Sequence, residues 1–124
     1  MLIEFRHIME SNICVVIAKG EFKTSIHSSA LESTLNHIKQ IRCEKIIFDL
    51  RALETKEKKF NIEELPDVYE KVKVPKHFQM IYLLNSSFFD PSQYKTFENA
   101  YAKRGYMIQV VESLEIAESI LKGE

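Results

Sequence analysis

A carboxylate and a guanidinium stand two residues apart at the end of an apolar run. Asp49 lies in, and Arg51 directly follows, the run Lys45–Leu50, which has no helical period and is typical of a strand buried on both faces. Residues two apart on a strand point to the same side, so these groups can pair with each other. Open α/β sheets bind ligands at the carboxyl ends of their strands, which also makes the pair a candidate binding site. We favour the simpler interpretation, an ordinary ion pair at a strand end.

A second polar group follows the next apolar run along the chain. Asn85, Ser86 and Ser87 come directly after the predicted strand Phe78–Leu84 and lead into a predicted helix start. Amide and hydroxyl groups placed there can hold an anion. The same residue types are also common in loops and as helix caps, which is the interpretation we favour.

Two adjacent aromatic residues, Phe88 and Phe89, precede the helix that Asp90 is expected to cap. A capped helix start fixes the backbone, so the two rings diverge and only one can enter the core. The other ring is then exposed, and Tyr94 and Tyr101 extend it into a patch if they face outward. We therefore expect the protein to form a homodimer or to dock a partner protein through this region.

The motifs of several familiar chemistries are missing from the sequence. The three glycines lie too far apart for a dinucleotide fingerprint or a phosphate-binding loop, and no serine has the flanking glycines of a nucleophile elbow. The four histidines form neither an HExxH motif nor a paired His/Cys spacing. We therefore expect no cofactor, no metal site and no catalytic residues.

The charge balance bears on the class of partner. The sequence has 17 Lys and Arg against 18 Asp and Glu, a formal net charge of −1. Nucleic acids and anionic membrane surfaces are bound mainly by clustered basic side chains, so we expect no nucleic-acid partner. The lysines between residues 56 and 76 alternate with acidic residues, which is typical of a solvated face.

Length, apolar runs and cysteines limit the organisation further. The 124 residues suffice for one domain, 1–124, without disulfides or metal. The longest uncharged apolar run, Ile13–Ala18, is far short of the roughly 20 residues that a membrane helix needs, so we expect no membrane insertion. The start of the chain lacks the features of a secretory signal, which predicts a cytoplasmic protein. Cys14 and Cys43 stand alone, and we expect both to be reduced, buried thiols.

The elements that must position these groups follow the order ββαβαβαβα. Strands are predicted at Leu2–Arg6, Ile13–Lys19, Lys45–Leu50, Phe78–Leu84 and Tyr106–Val111. Four helices are predicted at 24–41, from Asn61 to about residue 72, from Asp90 to before Gly105, and from Ser113 to before Gly123. This alternation implies an α/β fold with a five-stranded, mixed but mostly parallel sheet, whose opening antiparallel hairpin lies at or near an edge.

Three local features concern the ends of these elements. We expect Gly20 to end the second strand. Either Thr24 or Ser29 can cap the first helix, and Ser29 has Glu32 in the capping-box position. Pro66 lies within the second helix or marks its first turn.

The element order, the Asp-Leu-Arg end of the strand 46–51 and the tail 106–117 together resemble the STAS-like proteins of bacteria. These are related in fold to anti-sigma-factor antagonists and to the lipid-binding SEC14 fold, and the similarity covers nearly the whole chain. The resemblance implies an STAS-like sandwich. Antagonists of this family carry a phosphorylated Ser or Thr after the third strand, in an Asp-Ser-Gly-type segment. Here residues 51–65 contain no Ser and no Gly, and Thr55 is their only hydroxyl, so we expect no phosphorylation switch at this position.

Three classes of function remain. We favour a non-enzymatic regulatory or scaffold module that acts through protein–protein contact. The alternative is a carrier or sensor of a small apolar or anionic ligand, or of a lipid, at the carboxyl edge of the sheet. An enzyme comes third, because Asp49 or Glu54 would need a partner base or nucleophile that the sequence does not identify. An apolar pocket beside Asp49 and Asn85 would favour the carrier, and a flat apolar patch at Phe88 and Phe89 would favour the protein partner.

Overall fold

Alternating apolar residues build the sheet of this protein, whose computed structural model describes residues 1–57, 61–86 and 90–124. In these ranges five strands lie side by side in chain order: β1 (Leu2–Ile8), β2 (Ile13–Glu21), β3 (Lys45–Glu54), β4 (Gln79–Leu83) and β5 (Met107–Val110). β1 pairs antiparallel with β2, and the pairs from β2 to β5 are parallel. The predicted mixed, mostly parallel sheet with its hairpin at one edge is confirmed.

Helices cover the two faces of the sheet unequally. The described ranges contain α1 (Thr24–Gln40), α2 (Leu65–Val72), α3 (Tyr94–Ala102) and α4 (Leu114–Lys122). The first three are crossovers between neighbouring parallel strands that advance in one direction, so their common right hand places them on one face. α4 follows the last strand and packs on the other face. The predicted order ββαβαβαβα with four α-helices is confirmed.

The side chains of β3 show how the two faces are divided. Ile46 and Phe48 point into the larger core, which α1, α2 and α3 cover. Ile47 lies between them in sequence and points into the smaller core, where Ala117 and Leu121 of α4 meet the sheet. This alternation is the strand period, and the absence of a polar side to β3 is why its sequence lacks the alternating pattern of a half-exposed strand.

The prediction that Gly20 ends the second strand is wrong. β2 continues through Gly20 to Glu21, and Gly20 pairs with Leu53 of β3, which is itself four residues longer than predicted. The φ of Gly20 is +100°, a value that L side chains rarely adopt, and Met1 lies against the position where a Cβ would be. Gly20 therefore allows a backbone conformation within the strand that other residues rarely adopt. Its pairing with β3 continues the strand beyond it.

Neither predicted cap of α1 is the cap in the structure. Lys23 occupies the N-cap position and makes no side-chain cap hydrogen bond, and Thr24 is already the first helical residue. Ser29 lies inside the helix, where its hydroxyl donates to the carbonyl oxygen of Ile26 at 3.1 Å. A side chain from outside the helix, Glu57, accepts from the N–H of Thr24 instead.

The other helix starts follow the sequence more closely. Asn61 accepts from the N–H of Glu63 and opens a single 3-10 turn before α2, and Pro66 lies in the first turn of α2. Asp90 forms a capping box with Gln93 across a 3-10 turn that leads into α3. The cap predicted at Asp90 thus agrees with the structure, and of the two positions considered for Pro66 the first helical turn is the observed one, with a short 3-10 turn inserted before each helix.

Candidate functional site

Asp49 and Arg51 form a bidentate ion pair at the carboxyl end of β3. The Nε and Nη2 atoms of Arg51 donate to the two carboxylate oxygens of Asp49, both at 2.9 Å, and the Arg51 N–H adds a longer bond of 3.3 Å. These hydrogen bonds from Arg51 are the main cause that lowers the pKa of Asp49 below its usual value, and the same pairing raises the pKa of Arg51. The carboxylate therefore has its charge and both oxygens already engaged within the protein.

A β-bulge at this point changes which side chains face the helices. Ile17 of β2 lies opposite Asp49, but Lys19 lies opposite Ala52, so β3 contains one residue more than β2 across this step. The extra residue reverses the strand alternation. As a result Leu50 and Leu53, three residues apart, both line the same apolar space on the helix-covered face.

Asn85 joins the end of β4 to the extension of β3. Its side-chain amide donates to the carbonyl oxygens of Arg51 at 2.8 Å and of Leu53 at 2.6 Å. The ladder between β3 and β4 ends at the pair Asp49 and Leu83, so this amide supplies hydrogen bonds where β4 no longer does. The donor groups of Asn85 that were candidates for an anion are thus bound to the backbone of β3.

The remaining sequence candidates are Thr55, Ser86, Ser87, Phe88 and Phe89. Thr55 is held in place on both sides, because its hydroxyl donates to the carbonyl oxygen of Phe22 at 3.2 Å and accepts from the N–H of Glu57 at 3.1 Å. Ser86 is exposed. Ser87, Phe88 and Phe89 lie outside the described residues, so the exposed-ring hypothesis stays a prediction.

Tyr94 and Tyr101 would extend that aromatic patch along α3 only if they faced outward, and Tyr101 does not. Tyr101 is only 2% exposed and belongs to the larger core, and Tyr94 is half-buried and packs against the same core. The rings of Tyr69 and Tyr101 meet edge to face, with centroids 4.8 Å apart. Burial raises the pKa of Tyr101 and of Tyr82, and the Tyr82 hydroxyl is in contact with that of Tyr69. The aromatic spacing of α3 is therefore core packing.

An apolar cavity of about 110 Å³ lies between the sheet and the helices α1 and α3, near the carboxyl ends of the parallel strands. We call it the carboxyl-edge cavity. The residues that line it are Met1, Ile3, Val16, Ala18, Phe22, His27, Ala30, Leu31, Thr34, Phe48, Leu50, Leu53, Leu65, Tyr82, Leu84, Phe97 and Tyr101. Asp49 and Asn85 are not among them, although their neighbours Leu50 and Leu84 are, so the cavity lies at the same edge as the predicted crevice without including its polar groups. The sequence could not identify the residues that line the cavity, because its walls come from many separate segments and a bulge.

The carboxyl-edge cavity contains few polar groups. The Thr34 hydroxyl donates to the carbonyl oxygen of Ala30 at 2.8 Å, within the same helix. His27 packs its ring edge to face against Phe22, and burial lowers the pKa of its imidazole, which favours the neutral form. No Asp, Glu, Lys or Arg belongs to the described lining. The lining of the cavity is thus apolar apart from a neutral imidazole and the hydroxyl groups of Thr34, Tyr82 and Tyr101.

A second feature lies on the opposite face, where α4 leaves part of β5 uncovered. Met107 on β5 is 50% exposed, and Ile116 and Ile120 on α4 are 46% and 37% exposed. Ile116 and Ile120 lie one helical turn apart, and a groove of about 240 Å³ lies between Met107 and Ile120. We call Met107, Ile116 and Ile120 the β5–α4 patch.

The edge of the sheet beside this patch is closed to strand pairing at one point. The carboxylate of Glu98, on α3, accepts from the N–H of Val110 at 2.8 Å. A backbone donor at a sheet edge is otherwise available to an added strand. The β5–α4 patch therefore offers side chains, rather than this backbone group, to whatever contacts it.

Neither a metal site nor a membrane span is found in the described parts of the chain. Across residues 1–57, 61–86 and 90–124, no group of three or more His, Cys, Asp and Glu side chains is arranged to hold a metal ion. Within the same ranges, none of the helices has the length and apolar character needed to cross a bilayer.

Comparison with known proteins identifies the fold. No protein-family model matches the sequence, and no curated protein is significantly similar to it. The structure is similar to that of an anti-sigma factor antagonist from Mycobacterium paratuberculosis, with a TM-score of 0.60 and 15% identity over 98% of this chain and 93% of that one. It is also similar to the anti-sigma factor antagonist SpoIIAA in its unphosphorylated form, with a TM-score of 0.59 and 13% identity over 99% and 98% of the two chains. The chain therefore has the STAS-like fold of anti-sigma factor antagonists, as its sequence resemblance implied.

Proposed function

We propose that this protein is a non-enzymatic regulatory or scaffold module that acts by binding another protein. The observation that carries the proposal is the likeness of almost the entire chain to two anti-sigma factor antagonists, a class whose name denotes action on another protein. Because one fold can serve several functions, the contact site has to be identified from the surface of this chain.

The polar candidates at the sheet edge already make contacts within the protein, which supports a binding module rather than an enzyme. Asp49 is paired with Arg51, Asn85 is bound to the backbone of β3, and Thr55 bridges two backbone groups. Each of these side chains has a structural role that accounts for its position. The exposed apolar side chains are then the groups that can still contribute free energy by contact with a partner.

We assign the contact to the β5–α4 patch. Exposed Met and Ile side chains lose contact with water when a partner covers them, and apolar anchors in the centre of an interface dominate its binding energy. The occupant we assign is a different protein, because both structural relatives are named for action on one. A homodimer formed through the Phe88 region stays a separate prediction.

Site-specific photo-crosslinking in the cells that make the protein tests this assignment. A photoreactive phenylalanine replaces Ile116 in one variant, and in a matched control it replaces Asn36, an exposed residue of α1 on the other side of the sheet. We expect a discrete crosslinked protein from position 116 and none from position 36. The captured protein is then purified, and its affinity is measured for the wild type and for Ile116→Glu.

Three results would contradict the proposal. Equal crosslinking at both positions, or an affinity unchanged by Ile116→Glu while the variant keeps its thermal stability, would remove the patch as the contact surface. A purified wild type that is dimeric by light scattering, and becomes monomeric with Ile116→Glu, would show that a second copy occupies the patch instead.

A further inference from the structure

We propose that the carboxyl-edge cavity is a binding site for one small, neutral, apolar molecule. The ligand class is a single aromatic ring or a short aliphatic chain, with at most one hydroxyl or carbonyl group. This inference goes beyond protein contact and does not depend on it, because the cavity and the β5–α4 patch lie on opposite faces of the sheet.

The size of the cavity sets the size of the ligand. Its volume is about 110 Å³. An apolar cavity of about 150 Å³ in another protein is known to bind benzene, so this space suits a ring or a chain of roughly six carbons. A phospholipid or a long acyl chain is larger than this volume, so the ligand we propose is smaller than the lipid considered from the sequence.

The chemistry of the walls sets the charge of the ligand. The described lining offers no acidic or basic side chain other than His27, whose burial favours the neutral imidazole. An unpaired carboxylate or ammonium group would lose its hydration there without gaining a partner of opposite charge. A ligand hydroxyl or carbonyl can instead use a ring nitrogen of His27.

Small side chains line the cavity near the point where the sheet changes register. Ala18 on β2 and Ala30 on α1 both belong to the lining, and neither side chain extends beyond one methyl group. The bulge in β3 directs Leu50 and Leu53 to the same side, so that they frame the space. Met1, the most exposed lining residue at 43%, lies where the cavity reaches the surface.

The experiment titrates benzene and 1-hexanol into the protein and follows the methyl resonances by NMR, with hexanoate as the charged probe. We expect saturable shifts for benzene and 1-hexanol, and intermolecular nuclear Overhauser effects from benzene to the methyls of Leu50 and Leu53. We expect no such effects to Ile116 in the β5–α4 patch. Hexanoate should bind at least about tenfold more weakly than 1-hexanol.

A cavity-filling variant and its matched control separate this site from nonspecific partition. Ala30→Leu places three additional carbon atoms in the cavity, and we expect it to weaken benzene binding by about tenfold or more. Ala102→Leu makes the same change at an exposed position of α3 and should leave the affinity unchanged. Ala18→Val fills the cavity from the sheet side and replaces Ala30→Leu if that variant fails to fold.

Three results would overturn the proposal. The first is the absence of saturable shifts with either neutral probe. The second is benzene contact with Ile116 rather than with Leu50 and Leu53. The third is an equal affinity of the wild type and a folded, cavity-filled variant.

Discussion

The carboxylate of Glu57 caps helix α1 at Thr24, although the two residues lie 33 positions apart. One Oε1 atom accepts from the N–H of Thr24 at 2.9 Å and from its hydroxyl at 3.3 Å. The first turn of α1 has no acidic residue of its own. Glu57 therefore supplies both the missing hydrogen-bond acceptor and a negative charge at the positive end of the helix. It also ties the segment after β3 to the start of α1.

We expect Glu57→Gln to lower the free energy of unfolding by about 1 kcal/mol, as the loss of a helix cap typically does. The amide keeps an acceptor but loses the charge that favours the helix start. Urea denaturation followed by circular dichroism measures the change. Glu54→Gln, at an exposed position nearby, is the control and should change the value by less than about 0.5 kcal/mol. Equal losses in the two variants would show that the contact with Thr24 contributes nothing.

Thr55 is expected to remain unphosphorylated in the cells that make the protein. Its hydroxyl hydrogen is donated to the carbonyl oxygen of Phe22, and a phosphate ester would lose that donor. The added charge would also stand next to the acidic Glu54 and Glu57. Mass spectrometry of the native protein tests this, and we expect Thr55→Glu to lower stability, by about 1 kcal/mol or more, rather than to change a partner. Phosphate on Thr55, together with altered partner binding by Thr55→Glu, would refute the prediction.

The pair of Asp49 and Arg51 should stabilise the protein in a pH-dependent way. Because hydrogen bonding to Arg51 lowers the pKa of Asp49 below 3.8 in the folded state, the stabilisation is present above that value and is lost as the pH falls through the folded pKa. Arg51 is 47% exposed, so solvent screening limits the contribution to about 0.5–1 kcal/mol.

The variant that tests this pair is Asp49→Asn, compared with the wild type by urea denaturation at pH 7, 5, 4 and 3. We expect the wild type to be more stable at pH 7 and the difference to shrink towards pH 3. Glu32→Gln, at an exposed position of α1, serves as the control for a general loss of charge. A difference that stays constant over the whole pH range would indicate that the substituted amide changes the packing, and that the ion pair contributes nothing.

Cys14 and Cys43 should react slowly with thiol reagents in the folded protein. Both are free thiols, and their exposures are 0% and 1%. Burial, with a smaller effect of Cys43, raises the pKa of Cys14 to about 11, so little thiolate is present near neutral pH. Iodoacetamide labelling at pH 8 should be at least about a hundredfold slower than in denaturant. Rapid labelling of either cysteine under native conditions would contradict this expectation.

Local patterns in the sequence were sufficient for the elements and for most of their ends. The cap at Ser113 is an example, because its hydroxyl accepts from the N–H of Ile116 three residues later. Gly123 ends α4 in the left-handed conformation, as its position after the helical pattern predicted. Both features depend only on residues within one turn of the helix end, so they can be predicted from the local sequence.

What the sequence determined by itself is therefore the order of strands and helices, the parallel sheet that this order requires, and the pairing of Asp49 with Arg51. What only the tertiary structure decided are features made by residues far apart in the chain. The cap from Glu57 to Thr24 and the two bonds of Asn85 to β3 join segments more than 30 residues apart. The carboxyl-edge cavity depends on a bulge that places Leu50 and Leu53 on one face, against the strand period. The physical reason is that hydrogen bonds between strands set a register, and no pattern within one strand reports the register of its neighbour.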